Sequence, residues 1–433
     1  MIKMSEAKIV IHWFRRDLRL VDNAALYHAS KSGKKVVPLF IFDDNILNEL
    51  PADDARVGFI YDSLKKINNE LGNHSGSVLC LKGNPIEVWK KLIRDYDIEA
   101  VYFNRDYEPY AKERDDAVCK LLSSRGIGIF IYKDHVIFEP GEIVKDDGQP
   151  YTVFTPYKRK WIKQFQNAQL QIFLQPDLDA FNYKIYQFPK LSELGFKSSQ
   201  LKVVDYDLSV LDKYADTRNI PSKPTTNLGP HLRFGTVGLR QLINNLSSKH
   251  DEFLSELIWR EFFIQILSYY PEVVTRNFKS QYDGIQWLNN EMEFEKWCKG
   301  QTGYPLVDAG MRQLNTTGYM HNRIRMVAAS FLCKHLLIDW RWGEAYFAQK
   351  LLDYELSSNN GNWQWAAATG CDAAPYFRIF NPIEQQKKFD RDLIYIRQWI
   401  PGIEDLYNMI PIVEHKFARE RALKVYKNGI IRG

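Results

Sequence analysis

Five short apolar runs, separated by segments with helical spacing, follow one another through the first third of this 433-residue chain. The runs are nearly continuous in Val, Ile, Leu and Phe, and they occupy residues 8–14, 36–42, 77–81, 100–103 and 127–132. The amphipathic segments between them occupy residues 23–32, 54–71, 85–96 and 111–124. Strands that are apolar along their whole length and alternate with helices are typical of a parallel sheet buried on both faces. The pattern predicts an α/β doubly wound parallel sheet domain over residues 1–132, with ligands at the carboxyl ends of its strands.

The remaining two thirds of the chain divide into a connection and a helical region. Residues 133–204 contain turn signals at Pro140-Gly141 and at 146–148, and a basic segment around Lys158. A connection of this length is uncommon without structure of its own, so we predict an ordered interdomain linker. From residue 205 to residue 433, helical segments are joined by short loops, which predicts a larger, all-α domain.

Composition restricts the class of protein. No uninterrupted apolar stretch reaches the roughly 18 residues that a membrane span needs, and the amino terminus lacks the pattern of a secretion signal. The five cysteines are scattered and form no Cys-x-x-Cys pair, which fits a reducing compartment and gives no indication of a metal site. We therefore expect a cytoplasmic protein without a membrane segment. The net charge of +5 permits binding to nucleic acid without requiring it.

Polar and aromatic side chains are concentrated between residues 319 and 365. On a helix, Asn322 and Met326 share one face at i, i+4, and Arg325 is expected to point well away from both. Trp363 and Trp365 diverge by roughly 200° on a helix, so that one can stack on a ligand while the other faces elsewhere. Each residue alone fits an ordinary aromatic core helix with solvated arginines. The whole set fits a binding site better, because several polar groups near tryptophans need partners when buried.

Two further patterns leave alternatives open. Glu256 and Trp259 share one helical face at i, i+3, which fits a polar pocket with a stacking platform and, equally well, a core tryptophan beside a surface carboxylate. Residues 225–235 form a loop of small residues followed by a helix, an arrangement that offers hydroxyl and N–H groups to phosphate. This loop is a weak motif, since Thr, Gly and Pro are frequent in loops of every kind.

Long motifs distributed along nearly the whole chain carry a resemblance to a known family. They are Trp-Phe-Arg-Arg-Asp-Leu-Arg-Leu at 13–20, Trp-Arg-Glu-Phe at 259–262, residues 302–314, residues 319–378 and Ile-Arg-Gln-Trp at 396–399. With these motifs the chain resembles the photolyase/cryptochrome family, and within it the bacterial class I cyclobutane pyrimidine dimer photolyases. The resemblance implies that the helical domain binds FAD. It also implies that excited, reduced FAD passes an electron to a cyclobutane pyrimidine dimer flipped out of UV-damaged DNA, so that the protein is a monomeric DNA repair lyase.

The resemblance assigns one group of residues to FAD. The matching positions are Tyr214, Thr225, Thr226, Asn227, Leu228, Gly229, Arg260, Arg325, Asp353, Glu355 and Asn359. Arg325 and Asp353 would pair across the flavin, and Asn359 would face flavin N5 as a neutral amide that contributes no proton. Departures from the family pattern occur at Gly229, where a serine is usual, at Glu355, where an aspartate is usual, and at Tyr319, where a tryptophan is usual.

The resemblance assigns other residues to catalysis and to DNA. The catalytic positions are Glu256, Asn359, Trp287, Trp340 and Trp363, of which the three tryptophans would carry electrons from the surface to photoexcited, oxidised flavin. The positions for DNA and the lesion are Arg218, Glu256, Trp259, Asn322, Arg323, Met326, Trp365 and Gln385. Relatives that repair the (6-4) photoproduct have histidines at positions 322 and 326 to deliver a proton. Neither asparagine nor methionine can do so, which favours the pyrimidine dimer.

The family also suggests an antenna and an alternative function. Its α/β domain often holds a second, light-harvesting chromophore of deazaflavin or folate type. One folate site uses an Asn-Glu pair after the fourth strand, where this chain has Tyr110 and Ala111, so the folate is disfavoured. The alternative function is a cryptochrome-like blue-light photoreceptor that binds FAD without repair activity. The full set of lesion-pocket residues favours repair.

Overall fold

The computed structural model describes residues 8–402 and 410–430, and these form two compact units. The first unit takes in the described chain from residue 8 to Glu139 together with Phe165–Asp205 and Leu228–Leu246. The second contains Pro140–Gln164, Tyr206–Asn227 and the described residues from Ser247 onward. The chain passes between the units several times, and the domain boundaries at 132 and 205 stay a prediction. No described helix combines the length and the apolar character needed to cross a membrane.

A five-stranded parallel sheet is the centre of the first unit. Its strands are β1 (Ile9–Phe14), β2 (Lys35–Asp43), β3 (Leu79–Gly83), β4 (Ile98–Asn104) and β5 (Gly128–Tyr132). Their order in the sheet is β3-β2-β1-β4-β5, and each neighbouring pair is parallel. The direction of winding reverses at β1, as in a doubly wound sheet, which confirms the predicted α/β class.

Apolar cores lie on both faces of this sheet. The helices that follow its strands are α1 (Ala24–Ser30), α2 (Asp44–Leu47), α3 (Ala55–Gly72), α4 (Pro85–Asp95) and α5 (Pro109–Ser123). In β1, Ile9, Ile11 and Trp13 belong to one core, whereas Val10 and Phe14 belong to the other. Successive strand residues point to opposite faces, so a strand covered on both sides has to be apolar throughout.

The rest of the described chain is mainly helical. Its helices are α6 (Phe154–Asn167), α7 (Tyr214–Thr217), α8 (Gly229–Phe234), α9 (Leu239–Asn244), α10 (Asp251–Tyr269), α11 (Glu291–Cys298), α12 (Pro305–Thr317), α13 (Asn322–Ser330), α14 (Trp340–Lys350), α15 (Leu356–Ala367), α16 (Pro382–Phe389), α17 (Ile394–Trp399) and α18 (His415–Gly429). Helices α8 and α9 belong to the first unit, where Arg240 lies 2.8 Å from Asp22 and 2.6 Å from Asp134. All three side chains are buried, and buried charges need partners, so this cluster holds residues 228–246 to the sheet unit.

The second unit has an apolar core of its own, which confirms the predicted helical domain. Helices α12 to α15 and α17 supply it, with Leu314, Ile324, Trp340, Trp363 and Ile396 among its buried members. A π-helical turn over residues 331–335 interrupts the chain between α13 and α14. These helices bring the residues of the 319–365 region together in one place.

Helices α14 and α15 approach each other closely at Gly343, where an added Cβ would overlap the indole of Trp363. We expect Gly343→Ala to lower the free energy of unfolding by about 1–3 kcal/mol, because overpacking a dense core forces strain. Gly58→Ala on α3 is the matched control, since open space surrounds it and alanine is the better helix former, by up to about 1 kcal/mol. Urea unfolding followed by circular dichroism measures both. Similar effects at the two positions would contradict the close approach.

Candidate functional site

A cavity in the second unit is lined by a set of residues that the sequence had indicated. It has about 590 Å³ of space including its open mouth. The predicted site residues that line it are Asn322, Arg325, Met326, Asp353, Glu355, Asn359, Trp363 and Trp365. They come from α13, from the connection before α15 and from α15 itself.

The positions of the α13 side chains correct one expectation. Arg325 does not point well away from Asn322 and Met326, because all three line the cavity. On an α-helix these positions span only about 100° of arc, which one cavity wall can contain. Trp363 and Trp365 likewise both line the cavity, although Trp363 is buried in the core and Trp365 is half-buried.

A charged pair lies in the cavity wall. Arg325 Nη2 is 2.8 Å from Asp353 Oδ2, and Arg325 Nε donates to the Met320 carbonyl at 2.7 Å. Burial opposes the charge of Arg325, but the adjacent Asp353 carboxylate outweighs it and raises the pKa of Arg325. The other carboxylate oxygen, Asp353 Oδ1, is buried without a hydrogen-bond partner in the described part of the chain. Because a buried acceptor without a partner is costly, Asp353 is suited to accept a hydrogen bond from a ligand.

Glu355 forms a second ion pair at the cavity. Arg260 Nη2 on α10 lies 2.9 Å from Glu355 Oε1, and Ser358 Oγ donates to Glu355 Oε2 at 3.3 Å. Both charged side chains are largely buried, so the pair anchors α10 next to the cavity wall. The glutamate at this position therefore has a partner within the protein.

Asn359 has a carboxylate partner that the sequence did not indicate. Its Nδ2 donates to Glu344 Oε1 at 2.8 Å and to the Glu344 carbonyl at 3.2 Å. Burial raises the pKa of Glu344, and the hydrogen bond from Asn359 only partly opposes this. Glu344 belongs to α14 and follows no motif, so only the packing of α14 against α15 reveals it. Its contact fixes the orientation of the Asn359 amide.

The predicted phosphate-binding loop, residues 225–235, contacts Tyr319 through a side-chain hydroxyl. The hydroxyl groups of Thr225 and Tyr319 lie 3.0 Å apart, and the Arg325 guanidinium lies 5.5 Å from the centre of the Tyr319 ring. The hydroxyl that distinguishes tyrosine from the usual tryptophan is thus used to hold the loop. Thr226 and Asn227 also belong to the second unit, whereas the loop positions Leu228 and Gly229 belong to the first.

Glu256 and Trp259 lie on α10 but are not among the residues that line the cavity. Both are partly exposed, which agrees with a surface platform better than with a core tryptophan. One face of Trp259 is covered by Phe154 on α6, with ring centres 3.6 Å apart and planes 10° apart. Phe154 was not indicated by the sequence, because a lone phenylalanine in a connection carries no signal.

Positive side chains are grouped on the same unit. Arg218 follows α7 and lies 2.8 Å from Glu256, and Arg323 donates to Asn219 and lies over the ring of Phe389. Burial, and then the charges of Arg218 and Arg378, lower the pKa of Arg323. On α16, Gln385 Oε1 is buried without a partner among the described residues. Neighbouring arginines repel one another, and a bound phosphate relieves this repulsion with its negative charge. This group of arginines is therefore suited to bind phosphate.

The three tryptophans that are predicted to carry electrons lie in or against one core cluster. Trp340 and Trp363 are buried within it, and the partly buried Trp287 packs against it. Trp340 Nε1 donates to Asn277 Oδ1 at 2.8 Å, while Trp287 contacts the edge of Tyr426 at 5.9 Å. The cluster connects the cavity, at Trp363, with a less buried position at Trp287. Tyr214, the remaining predicted cofactor residue, contacts Phe253 of α10.

Two family models match the chain. Residues 10–177 match the model described as DNA photolyase, and residues 253–410 match the FAD binding domain of DNA photolyase. The chain belongs to the DNA photolyase family. It is 36% identical to the deoxyribodipyrimidine photo-lyase of Halobacterium salinarum, over 92% of this chain and 90% of that protein.

Solved structures agree with this assignment. A bacterial class III photolyase from Agrobacterium tumefaciens is 32% identical, with a TM-score of 0.86 and 99% of both chains covered. An archaeal photolyase from Sulfolobus tokodaii, which holds two FAD molecules, is also 32% identical, with a TM-score of 0.82 and coverage of 97% of this chain and 99% of that one.

FAD is the cofactor that this family implies, and the cavity fits it. The unpartnered Asp353 oxygen can accept a hydrogen bond from a polar ring edge, and the Arg325 cation stands beside it. Trp363 and Phe347 supply flat apolar wall, as an aromatic ring system needs.

Proposed function

We propose that the protein is a light-dependent DNA repair lyase that splits cyclobutane pyrimidine dimers in UV-damaged DNA. One observation carries the proposal: a single cavity is lined both by residues assigned to the flavin, Arg325, Asp353 and Asn359, and by residues assigned to the lesion, Met326 and Trp365. Cofactor and substrate would therefore share one cavity. The proposal includes action as a monomer in the cytoplasm, where a DNA substrate is accessible, and sedimentation of the purified protein tests the oligomeric state.

The residues of the cavity have different roles in this reaction. When bound in its reduced form, FAD supplies on illumination the electron that opens the cyclobutane ring. Arg325 is a permanent cation that favours a negatively charged ring beside it. Asn359 is held by Glu344 as a neutral amide, which offers no acidic proton. Trp365 would stack on a flipped base, a contact worth roughly 1–3 kcal/mol.

Two lesion residues decide which photoproduct is repaired. Asn322 and Met326 line the cavity where an acid would have to stand to deliver a proton to the (6-4) photoproduct. Neither side chain titrates, so the proposed substrate is the cyclobutane dimer, whose opening needs no proton from the protein. Trp287, Trp340 and Trp363 would carry electrons inward to oxidised flavin, which restores the reduced form.

Illumination of the reduced protein with a dimer-containing oligonucleotide tests the proposal. We expect the ultraviolet absorbance of thymine to recover with time under blue light and to stay constant in the dark. The competing function is a photoreceptor without repair. A protein that binds flavin and responds to light, but leaves the thymine absorbance unchanged, would support the photoreceptor.

Glu256→Ala should lower the repair yield several-fold while leaving the flavin content unchanged. A hydrogen bond between Glu256 and the lesion is worth about 0.5–1.5 kcal/mol, which corresponds to a loss of this size. Glu295→Ala is the matched control, because Glu295 is an exposed helical glutamate of the same unit that pairs with Lys299. The flavin absorption spectrum and the rate of thymine recovery are the two measurements. A loss of flavin in Glu256→Ala would show that this residue was assigned to the wrong group.

We also propose that a cavity in the first unit holds a second chromophore, the antenna. Its lining combines the guanidinium groups of Arg15, Arg16 and Arg114 with apolar strand and helix residues, and it has about 790 Å³ of space including its mouth. Tyr110, which stands where the folate-binding pair is expected, donates to Asp43 at 2.5 Å. Burial and the Asp43 carboxylate raise the pKa of Tyr110 to about 12, so the phenol stays neutral.

A further inference from the structure

Arg218 is held between two carboxylates of α10. Its Nη2 lies 2.8 Å from Glu256 Oε1, and its Nη1 donates to Glu252 Oε1. Glu252 is the more exposed of the two acids, with 49% of its side-chain surface accessible against 31% for Glu256. A single guanidinium thus pairs with two acids, one of which is proposed to contact the lesion.

Arg218 favours the negatively charged form of Glu256. Burial raises the pKa of Glu256 even though Arg218 opposes this with both its charge and its hydrogen bond. The other groups that face Glu256 are Lys158 on α6, which attracts the carboxylate more weakly, Tyr214 on α7, and Glu252 one helical turn away. Burial raises the pKa of Tyr214 well above its ordinary value, so this phenol stays neutral. Arg218 is therefore the main counter-charge.

Phosphate would compete with the carboxylates for Arg218. Arg323 and Arg378 add positive charge nearby: after burial, the charges of Arg218 and Arg378 lower the pKa of Arg323. Arginine binds phosphate with two parallel, charge-assisted hydrogen bonds. A phosphate of bound DNA would take the guanidinium and bring additional negative charge near Glu256.

The protonated acid suits the lesion better than the carboxylate does. A thymine ring presents a carbonyl acceptor next to an N–H donor. A carboxylate can only accept hydrogen bonds, whereas a carboxylic acid donates one and accepts another. Protonated Glu256 would therefore satisfy both neighbouring groups of the base.

We propose that Arg218 is an exchange arm: when damaged DNA binds, its guanidinium moves from Glu256 to a phosphate, and Glu256 takes up one proton from solvent to pair with the base as a neutral acid. The inference rests on the proposed function, and it adds proton uptake to substrate recognition. The pKa of Glu256 is then higher in the complex than in the free protein. Binding takes up a proton between these two pKa values, so the affinity falls as the pH rises through the pKa of the complex. Below the pKa of the free protein the affinity is independent of pH.

Calorimetric titration of the flavin-loaded protein with a dimer-containing oligonucleotide tests this inference. Titrations in two buffers with different heats of ionisation, repeated across neutral pH, count the protons exchanged. We expect uptake of up to about one proton per complex, and a rise of log Kd of up to about one per pH unit within the window. Glu256→Gln should abolish both effects while keeping flavin, because its amide also donates and accepts. Glu252→Gln should keep both effects.

The outcomes separate this inference from the proposed function. Preferential binding of damaged DNA without proton uptake, or uptake that survives in Glu256→Gln, would overturn the exchange. Loss of uptake in Glu252→Gln rather than in Glu256→Gln would also overturn it, because the proton would then go to the other acid. If the unmodified protein binds damaged and undamaged oligonucleotides equally, the proposed function fails instead.

Discussion

Arg325→Met is expected to give a folded protein that purifies without flavin. The substitution removes the cation of the cavity wall and leaves the Asp353 carboxylate largely buried without its partner. Breaking such a pair from one side costs about 3–5 kcal/mol. Part of that energy appears as lost stability and part as lost affinity for a negatively charged ring. We expect FAD to bind at least about a hundredfold more weakly, which follows if about 3 kcal/mol falls on binding.

Two measurements and one control check this result. The absorption spectrum of the purified variant gives its flavin content, and titration of the flavin-free protein with FAD gives the dissociation constant. Arg341→Met is the matched control, since Arg341 pairs with Asp339 at 3.0 Å in the same unit but does not line the cavity. It should retain flavin. Equal flavin content in both variants would mean that the Arg325–Asp353 pair does not contribute to cofactor binding.

Lys334→Met is expected to stabilise the protein at neutral pH by about 2–3 kcal/mol. Lys334 is 1% exposed, its Nζ donates to the Tyr376 carbonyl at 3.2 Å, and it lies 3.8 Å from the centre of the Tyr426 ring. Burial lowers its pKa from 10.5 to about 7. A shift of this size corresponds to about 4–5 kcal/mol of unfavourable free energy for the charged form. The lost hydrogen bond and cation–π contact offset part of the gain.

The pH dependence of this effect has a definite sign. Between the lowered pKa of the folded protein and the ordinary pKa of the unfolded chain, only the unfolded chain holds the proton. The stability of the parent protein therefore rises with pH in this window, by up to about 1.4 kcal/mol per unit. The advantage of Lys334→Met should be largest at or below neutral pH and shrink as the solution becomes alkaline. Urea unfolding of both proteins, from neutral to alkaline pH, measures this difference in stability.

An exposed lysine of the same unit serves as the control. Lys350 ends α14 on the surface, and Lys350→Met should change stability little at any pH. If the difference in the free energy of unfolding between the parent protein and Lys334→Met does not vary with pH, Lys334 keeps its ordinary pKa in the folded protein.

The elements of the sheet could be predicted from the sequence because local patterns determine them. A strand buried on both faces needs an apolar residue at nearly every position, as Ile9 to Phe14 show, and such a run is visible without tertiary information. The spacing of polar residues in 319–365 likewise predicted a site, because buried amides and charges need partners. The predicted direction of Arg325 was wrong because positions 322, 325 and 326 span only about 100° of arc on an α-helix.

The partners of these residues could not be predicted, because they come from distant parts of the chain. Glu344 reaches Asn359 from another helix, and Phe154 covers Trp259 from a connection more than a hundred residues upstream. Neither Glu344 nor Phe154 differs in sequence from an ordinary surface or core residue. The hydroxyl contact between Thr225 and Tyr319 depends in the same way on two remote segments.

The amino-acid sequence by itself determined the two kinds of domain, the family and most of the residues that line the cavity, because periodicity and motif spacing are local properties of the chain. Tertiary structure alone decided which charges pair, that Arg218 joins two acids, and that Lys334 is buried among tyrosines. Pairing and burial depend on which helices pack together, and through electrostatics they set the protonation of the groups on which binding and stability depend.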